Sequence, residues 1–182
     1  MQKALRFLGR CAILDAHYIF KGDSKMKKAL AIIFAFAFLT TLLVGCGSKA
    51  EAPTSETVKQ AISSIDGIME IEIVTEDNDP NDQLGKQGGY VGALFFTYNL
   101  VDEDDVYGDT AIERATDGGG CIEIYANTAD AKKRNDYLAQ FDGGFLASGS
   151  HKVLNTMVIR TSSKLKASEQ SALEGKLVEA LS

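Results

Sequence analysis

The sequence contains little proline, cysteine or histidine. Of 182 residues, 2 are proline, 3 are cysteine and 2 are histidine. The scarcity of proline, with 17 glycines, excludes a collagen-like chain and a proline-rich disordered chain. Beyond Cys46, the only cysteine is Cys121 and the only histidine is His151, too few for a zinc site. If Cys46 is lipidated, as argued below, one thiol remains and no intramolecular disulfide can form.

Positive charge is also scarce over most of the chain. The formal net charge is −6, and residues 1–45 hold 7 of the 19 Lys/Arg but only 2 of the 25 Asp/Glu. Residues 46–182 therefore hold 12 basic and 23 acidic residues, a net charge of −11. Nucleic-acid binding needs a basic face, so we predict no nucleic-acid partner. The 45 % hydrophobic and 24 % charged content fits a folded domain.

Residues 26–45 have the pattern of a lipoprotein signal peptide. Basic Met26–Lys28 precedes an apolar run, Ala29–Leu43. This run is shorter than the roughly 20 residues of a membrane-spanning helix. The next residues, Leu43–Cys46, resemble the lipobox of bacterial lipoproteins. That resemblance implies cleavage before Cys46 and a diacylglycerol on its thiol, which would anchor the protein at the extracellular face of the cell membrane.

The remaining boundaries follow from this leader. Residues 1–25 do not fit, because nothing should precede the basic start of a signal peptide. Lys21–Asp23 could also be encoded by a purine-rich ribosome-binding sequence ahead of the Met26 codon. We therefore predict that residues 1–25 are a misassigned start, the alternative being an unusually long basic region. Residues 46–54 would form a lipidated tether, and 55–182 a single domain.

Hydrophobic periodicity in 55–182 predicts an α+β fold with the order α-β-β-β-α-β-α. The expected architecture is one four-stranded, mostly antiparallel sheet with helices mainly on one face. The strands on either side of the middle helix could be parallel through a right-handed crossover. Three helices are predicted: one that follows Pro53, one from 127 or 128 to about 141, and one that starts near 167. The predicted strands are 69–73, 94–100, 121–127 and 152–161, and the last of these is expected to be a central strand.

The long loop 75–90 is the best candidate site. A structureless stretch of this length is usually functional or disordered, and its glycines permit close approach of a ligand to the backbone. The alternative is a self-packed Ω-loop closed by Leu84 and Tyr90. The residues predicted to contact a ligand are Asn78, Asp79, Asn81, Lys86 and Tyr90.

The same loop contains the start of a calcium-binding pattern. Asp77, Asp79 and Asn81 are spaced like the first ligands of an EF-hand loop. The sixth position is then Asp82 rather than glycine, and the twelfth is Gly88 rather than glutamate. An acidic turn that caps its own backbone fits better, so we predict no metal and no cofactor.

Nucleophilic catalysis has weak support, and we predict no catalytic residues. Cys121 and His151 could pair if their strands are neighbours, but no visible group activates the thiol, so a structural cysteine is favoured. Ser148, Ser150 and His151 are close in sequence, which does not show a triad. The basic run Lys132–Arg134 is interpreted as a solvated helix face.

Several segments resemble a family of small exported bacterial domains. They are Asn78–Asn81, Leu84–Lys86, Gly88–Tyr90, the strand Cys121–Tyr125, the helix Ala129–Arg134 with Tyr137, and Val158–Ser162 before Leu165. The resemblance covers most of 55–182 and implies a domain anchored at the surface of a monoderm bacterium, with no assigned activity. The sequence departs from the pattern at Lys166-Ala167, where Thr-Pro usually opens the last helix, so that helix is expected to be poorly capped.

Together these features predict a membrane-anchored surface lipoprotein that acts as a binding or interaction module. Its partners would be the membrane, through Cys46, and an unknown protein or envelope component. One alternative is an envelope enzyme using loop carboxylates such as Asp79, Asp82 or Asp105. The other is a small accessory lipoprotein that binds a ligand, although 46–182 is too short for the usual two-lobed clamp.

Overall fold

The computed structural model describes residues 51–144, 147 and 149–182. The predictions for 1–25, for the signal peptide 26–45 and for lipidation of Cys46 lie outside these residues. The described residues belong to one compact unit, Ala50–Ser182. This unit holds the sheet and both apolar clusters of the described ranges, so we expect it to fold by itself. No helix in the described ranges is long and apolar enough to cross a membrane.

Three helices have distinct starting caps. The hydroxyl of Thr54 accepts a hydrogen bond from the Thr57 N–H at 3.2 Å, and the Asn127 side chain accepts one from the Asp130 N–H at 2.9 Å. The last helix lacks such a residue at its start, as expected, but the Glu169 carboxylate compensates by accepting from the Lys166 N–H at 2.9 Å. The helices are α1 (Ser55–Ile62), α2 (Thr128–Ala139) and α3 (Ala167–Leu181).

The strands form one antiparallel sheet, which confirms the α+β class. The sheet has five strands rather than the predicted four, in the order β1-β2-β3-β5-β4. Every neighbouring pair is antiparallel. The strands are β1 (Ile68–Ile73), β2 (Gly92–Tyr98), β3 (Gly119–Ile124), β4 (His151–Leu154) and β5 (Met157–Thr161).

The extra strand comes from a hairpin inside the segment predicted as one strand, 152–161. Leu154 pairs with Met157, so Asn155 and Thr156 make a two-residue turn. Asn155 has φ +56°, a left-handed conformation that asparagine tolerates. The chain reverses here, and β5 lies between β3 and β4. The suggested parallel pairing across α2 is therefore wrong: β4 runs in the direction of β3 but is not its neighbour.

The two faces of the sheet carry separate apolar clusters. On one face, α1 and α3 pack over side chains that include Leu94, Phe96 and Ile122. On the other face, α2 packs over Phe95 and Cys121. Two of the three helices in the described part of the chain thus share a face, and α2 alone covers the opposite one beside the loop 75–90.

The two acidic loops leave the sheet from opposite ends. Ile73, the last residue of β1, pairs with Leu94 near the start of β2, whereas Tyr98, the last residue of β2, pairs with Ile68. The acidic segments 76–82 and 102–109 therefore start from opposite ends of this strand pair.

Candidate functional site

A cavity of about 400 Å³ lies where the loop 75–90 meets α2. The helix contributes one stripe to it, at spacings of three, four and seven residues, which places these side chains on one helical face. Tyr125, just after β3, supplies the floor next to this stripe. The lining residues are Asn81, Gln83, Gly88, Gly89, Tyr90, Tyr125, Asp130, Lys133, Arg134 and Tyr137.

Asp79 organises the loop wall of this cavity. Its Oδ2 accepts the backbone N–H of Gln83 at 2.6 Å and of Leu84 at 2.7 Å. Its Oδ1 accepts the Asn81 N–H at 3.0 Å and the hydroxyl proton of Tyr90. Partial burial acts to raise the pKa of Asp79, but these hydrogen bonds to the charged form outweigh it and the pKa is lowered. The carboxylate is thus committed to holding the loop.

Of the five residues predicted to contact a ligand, two line the cavity and three do not. Asn81 and Tyr90 line it, whereas Asp79 supports the wall from behind. Asn78 accepts the Thr75 N–H at 2.6 Å and Lys86 pairs with Asp82, and neither side chain is part of the cavity lining.

The loop is also packed against the domain. Tyr90 is buried in the apolar cluster beneath α2, and half-buried Leu84 packs against the same cluster. The Gly85 N–H donates to the Tyr90 carbonyl at 2.9 Å, which closes the loop on itself. The loop is therefore packed on its own side chains and forms one wall of the cavity, and its predicted role in binding a ligand stays a prediction.

A buried charge network lies beneath the cavity. Glu123 is only 2 % exposed and accepts bonds from Arg134 Nε at 2.8 Å and Arg134 Nη2 at 2.9 Å. It also accepts from Arg160 Nη1 at 3.1 Å and from the Tyr125 hydroxyl at 2.7 Å. Burial opposes ionisation of Glu123, yet Arg134 leads the groups that lower its pKa. The network therefore holds a carboxylate and fixes the direction of Arg134.

Tyr137 forms the outer part of the helical wall. The guanidinium carbon of Arg134 lies 5.5 Å from the Tyr137 ring centroid, within cation–π range. Phe141 packs edge-on against the same ring, with centroids 5.2 Å apart. Tyr137 is 50 % exposed, so this oriented ring is open to a binding partner.

The structure does not assemble the nucleophilic groups considered from sequence. Cys121 is fully buried, and burial raises the pKa of its thiol to about 11. The ring nitrogens of His151 lie 2.9 Å from Asn135 Oδ1 and 3.1 Å from Asp142 Oδ1. On the sheet, Cys121 of β3 pairs with Arg160 of β5, and Arg160 pairs in turn with His151 of β4. Cys121 and His151 are therefore separated by the intervening strand β5.

The serines next to His151 do not complete a triad in the described structure. Ser150 Oγ lies 2.7 Å from Thr161 Oγ1 and donates to Glu174 Oε2 at 3.2 Å. Ser148 lies outside the described residues. Among the residues that the structure describes, no group of three or more His, Cys, Asp or Glu side chains is placed to hold a metal ion.

Sequence reasoning missed the contribution of α2. Lys132 and Lys133 are both exposed, as a solvated face requires, and Lys133 also lines the open cavity, but Arg134 reaches inward to Glu123. Helical spacing was the sequence signal that could have identified this wall. Asp130, Lys133, Arg134 and Tyr137 fall on one helical stripe, whereas reading Lys132–Arg134 as a charge run ignores helical phase.

Comparisons with known proteins return no relatives. No known protein family, curated protein sequence or solved structure matches this chain.

Proposed function

We propose that the protein is a membrane-anchored surface lipoprotein whose domain, 55–182, is a binding module. The basic start, apolar run and lipobox-like Leu43–Cys46 support export and lipidation of Cys46. We extend the proposal to kinship with the small exported surface domains that the loop and strand motifs resemble. The cavity between the loop and α2 is the binding site within this proposal.

The observation that carries the binding role is the preorganised cavity wall. Asp79 holds one side through four hydrogen bonds, and Glu123 fixes Arg134 on the other. A volume of about 400 Å³ lies within the range of about 300–1,000 Å³ that small-ligand sites occupy. Rigid walls lower the entropy lost when a ligand binds, which favours recognition.

The same hydrogen bonds count against the rival enzyme. A general acid at neutral pH needs a raised carboxyl pKa, whereas the pKa of Asp79 is lowered by its hydrogen bonds. The accessory ligand-binding lipoprotein differs from our proposal only in what happens to the bound ligand. The cavity serves both roles equally.

Anchoring is tested by Cys46→Ser in the full chain expressed in a lipoprotein-processing bacterium. We expect the parent to be cleaved and to incorporate labelled fatty acid, because a thiol is required for diacylglycerol transfer. The variant should keep its precursor mass and incorporate no label, whereas Cys121→Ser should behave like the parent. Normal processing and labelling of Cys46→Ser would show that the lipoprotein assignment is wrong.

The binding site is tested with a photocrosslinking residue placed at position 137 or 107. Tyr137 is half-exposed in the cavity wall, and Tyr107 is 93 % exposed and absent from that wall. Cells carrying the full chain are irradiated and the protein is isolated by mass. We expect a discrete adduct at position 137 and none at 107. Adducts only at 107, or equal adducts at both, would contradict a binding site in this cavity.

A further inference from the structure

We propose that the cavity binds an oxyanion group, a carboxylate or phosphoryl group, on Lys133 and on the free N–H groups of Arg134. This inference rests on the proposed binding function and assigns the chemical class of the ligand. Lys133 and Arg134 are consecutive residues of α2, and both line the cavity.

Arg134 has donors left over after it binds Glu123. A guanidinium carries five N–H donors in a planar fork. The hydrogen bonds to Glu123 use one at Nε and one at Nη2, which leaves three, including both at Nη1. Arg134 lines the cavity, and its side chain is 25 % exposed. Two N–H groups on the unused edge can hold a planar oxyanion in the bidentate geometry that arginine favours.

The direction of Arg134 is fixed before a ligand arrives. Glu123 holds it from the core at 2.8 and 2.9 Å, and the Tyr137 ring lies 5.5 Å from its guanidinium carbon. An arginine on the surface loses side-chain entropy when it binds an anion, whereas much of that entropy has already been lost here. The buried carboxylate therefore works as a support for a second anion on the opposite edge.

Lys133 supplies a second positive charge to the cavity lining. Lys133 makes no ion pair with any residue in the described ranges, although Asp130 lies three residues earlier on the same stripe. Asp130 Oδ2 instead accepts from Asn127 Nδ2 at 2.7 Å. The lining carries two cations and one anion. With Arg160 and the carboxylates of Glu123 and Asp79 behind the lining, three cations balance three anions, whereas residues 46–182 carry a net charge of −11. An anion is therefore repelled less at this cavity than by most of the remaining surface, and Lys133 and the outer N–H groups of Arg134 give it donors.

The test is an amide NMR titration of the compact unit, residues 50–182, with succinate and separately with inorganic phosphate. Ionic strength is held constant with chloride. We expect saturable shifts at cavity amides such as Gly88, Gly89 and Asp130. Lys133→Gln should weaken binding about tenfold or more, because it removes one charge-assisted contact. Lys132→Gln is the matched control: it removes the same charge from an exposed neighbour outside the cavity and should leave the affinity unchanged.

Each outcome separates the alternatives. Saturation with succinate alone identifies a carboxylate ligand, and saturation with phosphate alone identifies a phosphoryl ligand. Either result supports the inference. Non-saturating shifts, or equal weakening by Lys132→Gln and Lys133→Gln, would overturn it, because they indicate general charge attraction. An adduct at position 137 without binding of either oxyanion would leave the proposed function standing and refute the anion class. Saturable oxyanion binding that Lys133→Gln weakens would support both the inference and the binding site, with or without that adduct.

Discussion

At the scale of single residues, the carboxylate of Glu123 is the centre of the buried charge network. This carboxylate is removed from water, and isolated buried charge is strongly unfavourable. Two arginines and one tyrosine hydroxyl provide four hydrogen bonds, which offset that desolvation. A buried ion pair adds little net stability beyond an apolar replacement, but breaking it by removing one partner is strongly destabilising.

We therefore predict that Glu123→Gln lowers the free energy of unfolding by about 3 kcal/mol or more. The amide keeps the size of the side chain but leaves Arg134 and Arg160 without their shared negative charge. Urea denaturation of the compact unit 50–182 measures the loss. Glu70→Gln is the control, since Glu70 is an exposed glutamate on β1 and its substitution should change stability by less than about 0.5 kcal/mol. Equal effects of the two substitutions would show that the network is not stabilising.

The sequence predicts which way Glu123 points but not what it meets. Strict alternation in β3 places Cys121, Glu123 and Tyr125 on one face, as the structure shows. The partner Arg134 belongs to a helix whose rotation about its own axis is set by packing of Ala131 and Leu138. That rotation depends on tertiary packing, so the charge run Lys132–Arg134 alone could not reveal that Arg134 turns inward.

At the scale of elements, α3 contains a glycine whose replacement by alanine should stabilise the helix. Gly175 lies in the middle of this helix, and a Cβ added there would meet no atom within 4 Å. Glycine costs roughly 0.5–1 kcal/mol relative to alanine inside a helix, because it loses more backbone entropy on folding.

Gly175→Ala is accordingly predicted to raise the free energy of unfolding by about 0.5–1 kcal/mol. Thermal and urea unfolding of 50–182 measure the gain. Gly67→Ala is the opposing control: Gly67 has φ +96°, and a Cβ there would lie only 2.5 Å from Tyr98 Cε2. That substitution should destabilise the unit. Destabilisation by Gly175→Ala would show that this face of α3 is covered by something the residue must avoid.

The hairpin of β4 and β5 shows why element boundaries were harder to predict than element types. The segment 152–161 is apolar on both faces, which is typical of one central strand. The turn residues are Asn155 and Thr156, without the glycine that usually marks a two-residue hairpin. Asparagine can adopt positive φ alone, so the reversal left only a weak local signal. One missed turn then changed both the strand count and the pairing of β3.

At the scale of the whole molecule, the fold was more predictable than the site. Period-2 and period-3.6 patterns arise from burial on one side of each element, and they give the class directly. The cavity forms between a loop and a helix that are separated in sequence by all of β2 and β3. Of the residues predicted from sequence, Asn81 and Tyr90 line this cavity. Loop length and glycine content are local signals, whereas the facing helical wall depends on tertiary packing.

The last prediction concerns the stability of the whole unit in acid. The pKa values of Asp79 and Glu123 are both lowered from their ordinary values of 3.8 and 4.5. As pH falls through those ordinary values, the unfolded chain takes up protons at these groups and the folded chain does not. The free energy of unfolding should therefore change little between about pH 7 and 5 and fall progressively below about pH 4.5. Urea midpoints of residues 50–182 measured from pH 7 to pH 3 provide the profile, with Glu123→Gln as the comparison. That variant starts less stable and should show a shallower acid decline, since one of the two groups no longer titrates. Parallel declines of parent and variant would place the acid sensitivity at carboxylates other than Glu123.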